Sequence, residues 1–307
     1  MAKSKIAQKH FHDEDAARAW FEAARWPDGP ICPNCGNLKH YATKKVGRYR
    51  CGEPECRKDF TVMTKTVMER SHAPLTNWAY AFTVAADGKK GFSAHQLMRQ
   101  LGCQYNTAWF LHHRVMEAMR RGGIVLPPMG GDGKIVEADE TYFGKPEKLH
   151  VSPQRRGRPY LKGNKVRNSR PVVALVERGG NIRTFHIAVA DKATVSRIVM
   201  ENVAKESRLH TDESKLYTGA DAHFATHETV KHSAKEYARG DVNTNSAEGF
   251  FSIFKCGMKG VYQHCAEKNL HRYLAEFEFR YNTRKITDGE RAVLAIRGGE
   301  GKRLTYR

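Results

Sequence analysis

The chain has 307 residues, long enough for two domains each burying a core of its own. Lys and Arg number 52 against 33 Asp and Glu, a formal charge of +19 spread along the whole length, which argues for a polyanionic partner, above all nucleic acid. No apolar run reaches the roughly 20 residues of a membrane span, and the start of the chain lacks the apolar stretch of a signal peptide, so the expectation is a soluble, cytoplasmic protein with no membrane partner.

Residues 13–25 predict a short helix. Asp13, Glu14 and Asp15 suit its positive N-terminal end, and Trp20, Phe21 and Ala24 give it an apolar face. Four of the seven cysteines follow as two close pairs, Cys32 with Cys35 and Cys51 with Cys56, separated by fifteen residues. Short strand-like pieces lie between and after them, at 41–43, 48–50 and 59–62. Two thiolate pairs on facing hairpin turns make the four-sulfur site that Zn²⁺ prefers, so this region is expected to be a zinc ribbon that depends on structural zinc to fold. The second pair is spaced more widely than the usual two-residue gap. Cys103, Cys256 and Cys265 stand apart and are expected to be buried thiols.

Residues 74–87 predict another helix. Ser93 then caps a helix over 94–101, Gly102-Cys103 turns the chain, and a longer helix follows from about Asn106 to Arg120. Helix, glycine turn, helix is the outline of a helix-turn-helix, in which Asn106 and Arg114 would face DNA. Three ordinary packed helices remain the competing reading. The Gly/Pro-rich stretch 122–133 is a linker, which gives the expected division: helix and ribbon 1–70, helix-turn-helix-like region 71–121, linker 122–133, a second domain 134–285, and a basic tail 286–307.

The second domain opens on a strand, Lys134–Phe143, interrupted by Asp139 and Glu140. A cationic loop follows, with nine basic residues and one acid between Lys145 and Arg170. Its Arg155, Arg156 and Arg158 are suited to tracking a phosphate backbone, or to lying in a solvated linker. Runs 171–178 and 181–190 form a hairpin about Gly179-Gly180. A helix over 194–206 comes next, then a short strand ending at Asp212, a stretch at 221–230 with helical character, a short strand at 233–238, a helix over 243–262, and a last helix over 268–284. This order, three antiparallel strands, a crossover helix and a fourth strand, matches a ribonuclease-H-like mixed sheet with flanking helices, an α/β (α+β) architecture preceded by the ribbon and the helical region.

The helix over 243–262 carries Phe250, Phe251, Ile253, Phe254 and Met258 as an apolar band behind an Asn/Ser cap region. Glu248 and Lys255 fall off that band. Seven residues apart, they lie within about 20° on one face and about 10 Å along the axis. Alone they read as a solvated edge, or as a metal ligand and a phosphate contact. In a ribonuclease-H-like sheet the first and fourth strands are neighbours and the late helix packs beside them, so Asp139, Asp212 and Glu248 converge. Clustered carboxylates repel unless cations hold them, and hard oxygen donors call for two Mg²⁺ or Mn²⁺ ions. Glu137 and Glu140 flank Asp139 and are assigned to the opposite face of the strand. His210, His223, His227 and His232 lack the tight spacing of a metal set and are read as structural or DNA-facing.

Val-Glu-Ala-Asp139-Glu-Thr-Tyr, His-Thr-Asp212-Glu-Ser and Asn-Thr-Asn-Ser-Ala-Glu248-Gly-Phe-Phe-Ser-Ile-Phe-Lys255 resemble the three acidic motifs of bacterial insertion-sequence DDE transposases. Their closest match is the ISXO type, which carries an N-terminal zinc ribbon; Glu-Phe-Glu-Phe-Arg-Tyr-Asn at 276–282 also resembles that group. Some relatives carry Asn in place of the third acid, whereas this chain keeps Glu. The resemblance implies Asp139, Asp212 and Glu248 as the catalytic, metal-binding triad and Lys255 as a DNA contact. It also implies binding to double-stranded element ends and target DNA, metal-dependent cleavage and joining, work as a homodimer or larger assembly, and a place on the bacterial nucleoid. A transposase-derived DNA-binding regulator without catalysis and a structure-specific nuclease are the alternatives.

Overall fold

The computed structural model describes residues 7–121, 126–144, 169–234 and 238–304. The chain divides into two units, residues 1–122 together with 283–307, and residues 123–282. Among the described residues no helix is long and apolar enough to cross a membrane.

In the first unit Asp13 caps α1 (Glu14–Arg25) by accepting the Ala16 N–H at 2.8 Å, and Ala17, Phe21 and Ala24 turn inward. The ribbon is a three-stranded antiparallel sheet, β1 (His40–Ala42), β2 (Tyr49–Cys51) and β3 (Asp59–Phe60). Phe60 packs edge-on against Trp26, with ring centroids 5.8 Å apart. Three helices follow: α2 (Leu75–Asp87), α3 (Ala94–Leu101) and α4 (Tyr105–Met119). Ser93 caps α3 through the Gln96 N–H, as its position predicts, and Gly102 turns the chain at φ +62°, a left-handed conformation that a side chain disfavours.

The expected basic tail is corrected here. Residues 288–298 form helix α8 (Asp288–Gly298), started by a reciprocal capping box between Thr287 and Glu290. It packs on α1, α2 and α4 through Ala292, Ala295 and Ile296. Arg297 donates to the Ala24 carbonyl at 2.6 Å, and Glu300 pairs with the buried Arg25 at 2.8 Å. The basic side chains hid a helix whose apolar face is narrow and made largely of alanine.

The second unit is a five-stranded sheet in the order β6-β5-β4-β7-β8. Its strands are β4 (Ile135–Phe143), β5 (Arg170–Glu177), β6 (Ile182–His186), β7 (Arg208–Asp212) and β8 (Thr226–Val230). The first three are antiparallel neighbours; β7 and β8 join parallel to β4. Helix α5 (Lys192–Asn202) makes the crossover and buries Val195, Ile198 and Val199 against Val136, Ala138, Leu175 and Leu209 on one face. The opposite face is covered by α6 (Asn245–Gly257) and α7 (Leu270–Asn282). This is the mixed sheet with flanking helices that the element order predicts.

Three local expectations change. The last strand is Thr226–Val230, inside the stretch read as helical, and 232–234 is a single 3-10 turn. Pairing with β7 overrides the weak helical character there. The linker is shorter than expected, because Met129 already bridges to Val203, donating to Asn202 and accepting from Ala204. Ile253 leaves the apolar band of α6, being 41% exposed, whereas Phe250, Phe251, Phe254 and Met258 are buried.

Candidate active site and metal centre

Strands β4 and β7 run in parallel with Val136 beside Leu209 and Glu137 beside His210. Two residues further along stand Asp139, in the middle of β4, and Asp212, the last residue of β7. A parallel pair therefore sets two carboxylates side by side. Asp139 is half-buried. Burial, then the charges of Asp212 and Glu140, and finally Glu248, push its carboxyl up to about 7, against one opposing hydrogen bond from the Glu140 N–H at 2.8 Å. Asp212 accepts the Ser214 N–H at 3.0 Å. Glu248 sits exposed in the first turn of α6, and Lys255 lies half-buried near the end of that helix.

Helix α6 is held by its apolar side. Phe254 is fully buried between Phe143 of β4 and Phe277 of α7, with centroids 5.4 and 5.3 Å away. Its N-cap residue, Thr244, makes no side-chain cap, and Asn243 accepts only the Asn245 N–H, at 3.2 Å. The cap comes from the sheet. Glu137, fully buried, accepts the Ser246 N–H at 2.8 Å, the Ala247 N–H at 3.2 Å and the Ser246 hydroxyl at 3.0 Å. Its other partner is Arg178 at the end of β5, which donates twice, at 2.9 and 2.8 Å. The assignment of Glu137 to the face opposite Asp139 is thus corrected: two residues are a full strand period, and both carboxylates lie on the α6 side.

Glu140 does lie on the other face, but it is not remote from the site. It accepts the Ser214 hydroxyl at 3.1 Å and the Tyr217 hydroxyl at 2.8 Å, and burial followed by the charge of Asp212 holds its carboxyl above the ordinary range. Tyr217 is buried, and burial with the Glu140 charge pushes its phenol far up, so it stays a proton donor.

Four oxygen acids gathered in one place form a donor set suited to a hard divalent ion. The carboxylates are not drawn into a closed cage, however. Among the described residues the one group of three or more metal-ligating atoms lying within 4.8 Å of one another is Cys32, Cys35, Cys51 and Cys56. Cys32 and Cys56 are 3.9 Å apart and Cys35 and Cys51 3.4 Å, close to the roughly 3.8 Å that tetrahedral bonds of about 2.3 Å require. The wide spacing of the second pair therefore does not spoil the knuckle. Burial raises the Cys32 thiol, but N–H donors of Asn34 and Cys35 outweigh it and bring it down to about 7. Burial carries Cys51 up to about 12. A cation is needed before all four can be thiolates together, and zinc supplies it.

Residues 130–282 match the ISXO2-like transposase domain, and residues 12–59 match the transposase zinc-ribbon domain of the IS1595 family. The chain carries both domains of an ISXO2-like transposase. The zinc ribbon comes first and the DDE domain second, and the cysteine quartet falls wholly inside the ribbon match. No curated protein matches the chain.

The DNA-facing candidates separate. Asn106 is exposed in the first turn of α4. Arg114 is corrected: it is buried, lies over the Phe110 ring at 4.0 Å and donates to the Glu69 carbonyl at 3.2 Å, so it serves the core of its own unit. Arg155, Arg156 and Arg158 lie outside the described residues. Of the histidines, His210 is fully buried 3.4 Å from Glu228 and His227 contacts Thr211 at 2.9 Å, both inside the sheet; His223 is exposed. Cys265 is buried as expected, Cys103 is half-buried, and Cys256 is corrected to exposed. Glu137, Glu140, Arg178 and Tyr217 are the residues that reading the sequence did not assign to the site.

Proposed function

We propose that this transposase binds the ends of its own element, cleaves there by metal-dependent phosphodiester hydrolysis, and joins the freed 3′-hydroxyls to target DNA. Asp139, Asp212 and Glu248 are its catalytic ligands. The observation that supports this reading is the neighbouring of Asp139 and Asp212 on two parallel strands, with the charge of Glu248 felt at Asp139. Two Mg²⁺ or Mn²⁺ ions held there would activate the attacking oxygen and screen the leaving one.

The chain's own residues do the rest. The three carboxylates present hard oxygen atoms at one site, where a phosphate can approach from solvent. Lys255, along the helix from Glu248, offers an ammonium to the DNA backbone. In the first step water adds to phosphorus and the 3′-oxygen leaves with a proton. In the second, that 3′-hydroxyl attacks a target phosphodiester and expels its 3′-oxygen. No bond to the protein forms.

DNA is held by sequence-independent charge and by a few base contacts. Asn106 at the exposed start of α4 is suited to the second role in a helix-turn-helix, and Arg155, Arg156 and Arg158 to the first. The ribbon hairpin adds exposed Lys44, Lys45, Arg48 and Arg50 around an exposed Tyr41, against a single acid, Asp59. A homodimer or larger assembly brings two ends together.

The test is a strand-transfer assay on cognate ends with Mg²⁺, comparing wild type with Asp212→Asn. The expected outcome is cleavage and joining that the variant abolishes. Equal behaviour of the two overturns the triad; cleavage without joining favours a nuclease, and binding alone a regulator.

A further inference from the structure

The four residues Glu137-Ala138-Asp139-Glu140 place three acids on one strand, and the two that flank Asp139 have partners that belong to the rest of the triad. Glu137, on the same face as Asp139, closes the N-terminus of α6 at Ser246 and Ala247, two residues and one residue ahead of Glu248. It is in turn fixed by Arg178, whose guanidinium also donates to the carbonyls of Asp241 and Asn243 at 2.7 and 3.1 Å, in the segment that leads into α6. Glu140, on the other face, takes the hydroxyls of Ser214 and Tyr217, while the N–H of that same Ser214 is donated to Asp212.

We infer that Glu137 and Glu140 are positioning residues: Glu137 fixes Glu248 relative to Asp139, and Glu140 fixes the turn that orients Asp212. This rests on the reading of Asp139, Asp212 and Glu248 as the ion-holding triad. The physical reason is the geometry of a strand. Successive residues point to opposite faces, so one short segment grips the helix above the sheet and the turn below it while Asp139, between them, faces the site. A buried carboxylate that meets a helix N-terminus also finds there the unpaired N–H groups and the favourable end of the dipole. A role in packing alone predicts a different arrangement, since a neutral side chain would fill the same space without three helix-side hydrogen bonds.

The probe is Mn²⁺ alone, added to the full zinc-loaded chain, with free Mn²⁺ followed by its electron paramagnetic resonance signal. Wild type is compared with Glu248→Gln, Glu137→Gln and the double variant, and likewise with Asp212→Asn, Glu140→Gln and their double variant. Outer residues that orient metal ligands typically cost about 10–100-fold in affinity when changed. Glu137→Gln alone is expected to weaken Mn²⁺ about tenfold, because its amide puts N–H groups where the helix or Arg178 needs an acceptor. The double variant is expected to bind no more weakly than Glu248→Gln by itself, with the same pattern for Glu140 and Asp212. If the losses multiply, or if Glu137→Gln lowers the melting temperature and leaves Mn²⁺ affinity untouched, the positioning role is overturned. If Glu248→Gln and Asp212→Asn alone leave Mn²⁺ binding unchanged, the triad reading itself falls, and positioning falls with it. Ser246→Ala and Tyr217→Phe each remove one donor without a charge; they serve if the carboxylate variants do not fold, and unchanged Mn²⁺ affinity in both overturns the inference equally.

Discussion

Asp139→Asn should make the protein more stable whenever divalent cations are absent. In the folded chain the Asp139 carboxyl is raised from its ordinary 3.8 to about 7, chiefly by burial and by Asp212. The folded state therefore binds more protons than the unfolded one between those values, and stability is lost as pH rises through that window. Fully ionised, at roughly 1.36 kcal/mol per pH unit, the penalty is about 4 kcal/mol. Asp139 is only half-buried and solvent screens part of this, so about half of it, ~2 kcal/mol, is the expected gain for the amide at pH 8. In a unit of this size 1 kcal/mol moves the midpoint by about 2–4 °C, giving a rise of roughly 4–8 °C. The difference should shrink as pH falls through that window and vanish below about 3.8, where the folded and unfolded states are both protonated. With saturating Mn²⁺ the order should reverse, because only the carboxylate gains from the ion. All four tryptophans, Trp20, Trp26, Trp78 and Trp109, belong to the other unit, so calorimetry or far-ultraviolet circular dichroism is the measurement. A variant that melts at or below wild type at pH 8 without divalent ions would refute the view that Asp139 sits in a cluster built for cations.

Three other outcomes are expected. Removing zinc, or Cys56→Ser, should unfold the ribbon and change the emission of Trp26, which packs on Tyr49 and Phe60; one zinc per chain by atomic absorption is the matching count. Phe254→Ala removes a fully buried ring from between α6, β4 and α7, and should destabilise the second unit by about 3–5 kcal/mol in a denaturant titration followed by circular dichroism. Deleting 284–307 should lower the tryptophan-detected melt of the first unit, since loss of Ile296 burial alone removes about 1.5–3 kcal/mol; an unchanged melt would mean that α8 is dispensable.

What could be read from the residues followed from short-range rules. Cys32, Cys35, Cys51 and Cys56 were legible because ligand spacing within a knuckle is local. The Ser93 cap, the Gly102 turn and the Phe250, Phe251, Phe254 band were legible because capping, left-handed turns and the helical period act over a few residues. Asp139, Asp212 and Glu248 could be named as candidates because each sits in a recognisable motif, and the strand order explains how the first two meet. The stretch 286–307 showed only as a basic tail, because α8 has a thin apolar face and its capping box gives no hint of what it packs against. Arg114 looked like a DNA contact because charge in a sequence carries no burial. Glu137 marks the limit most clearly. Its partners Arg178 and Ser246 lie 41 and 109 residues away, and nothing in its neighbours says that a strand carboxylate will cap a distant helix. Composition, spacing and period determine which elements form and which residues can do chemistry. Only the folded sheet decides which acids end up holding the others in place, because hydrogen bonds between distant segments exist only after strand pairing has brought them together.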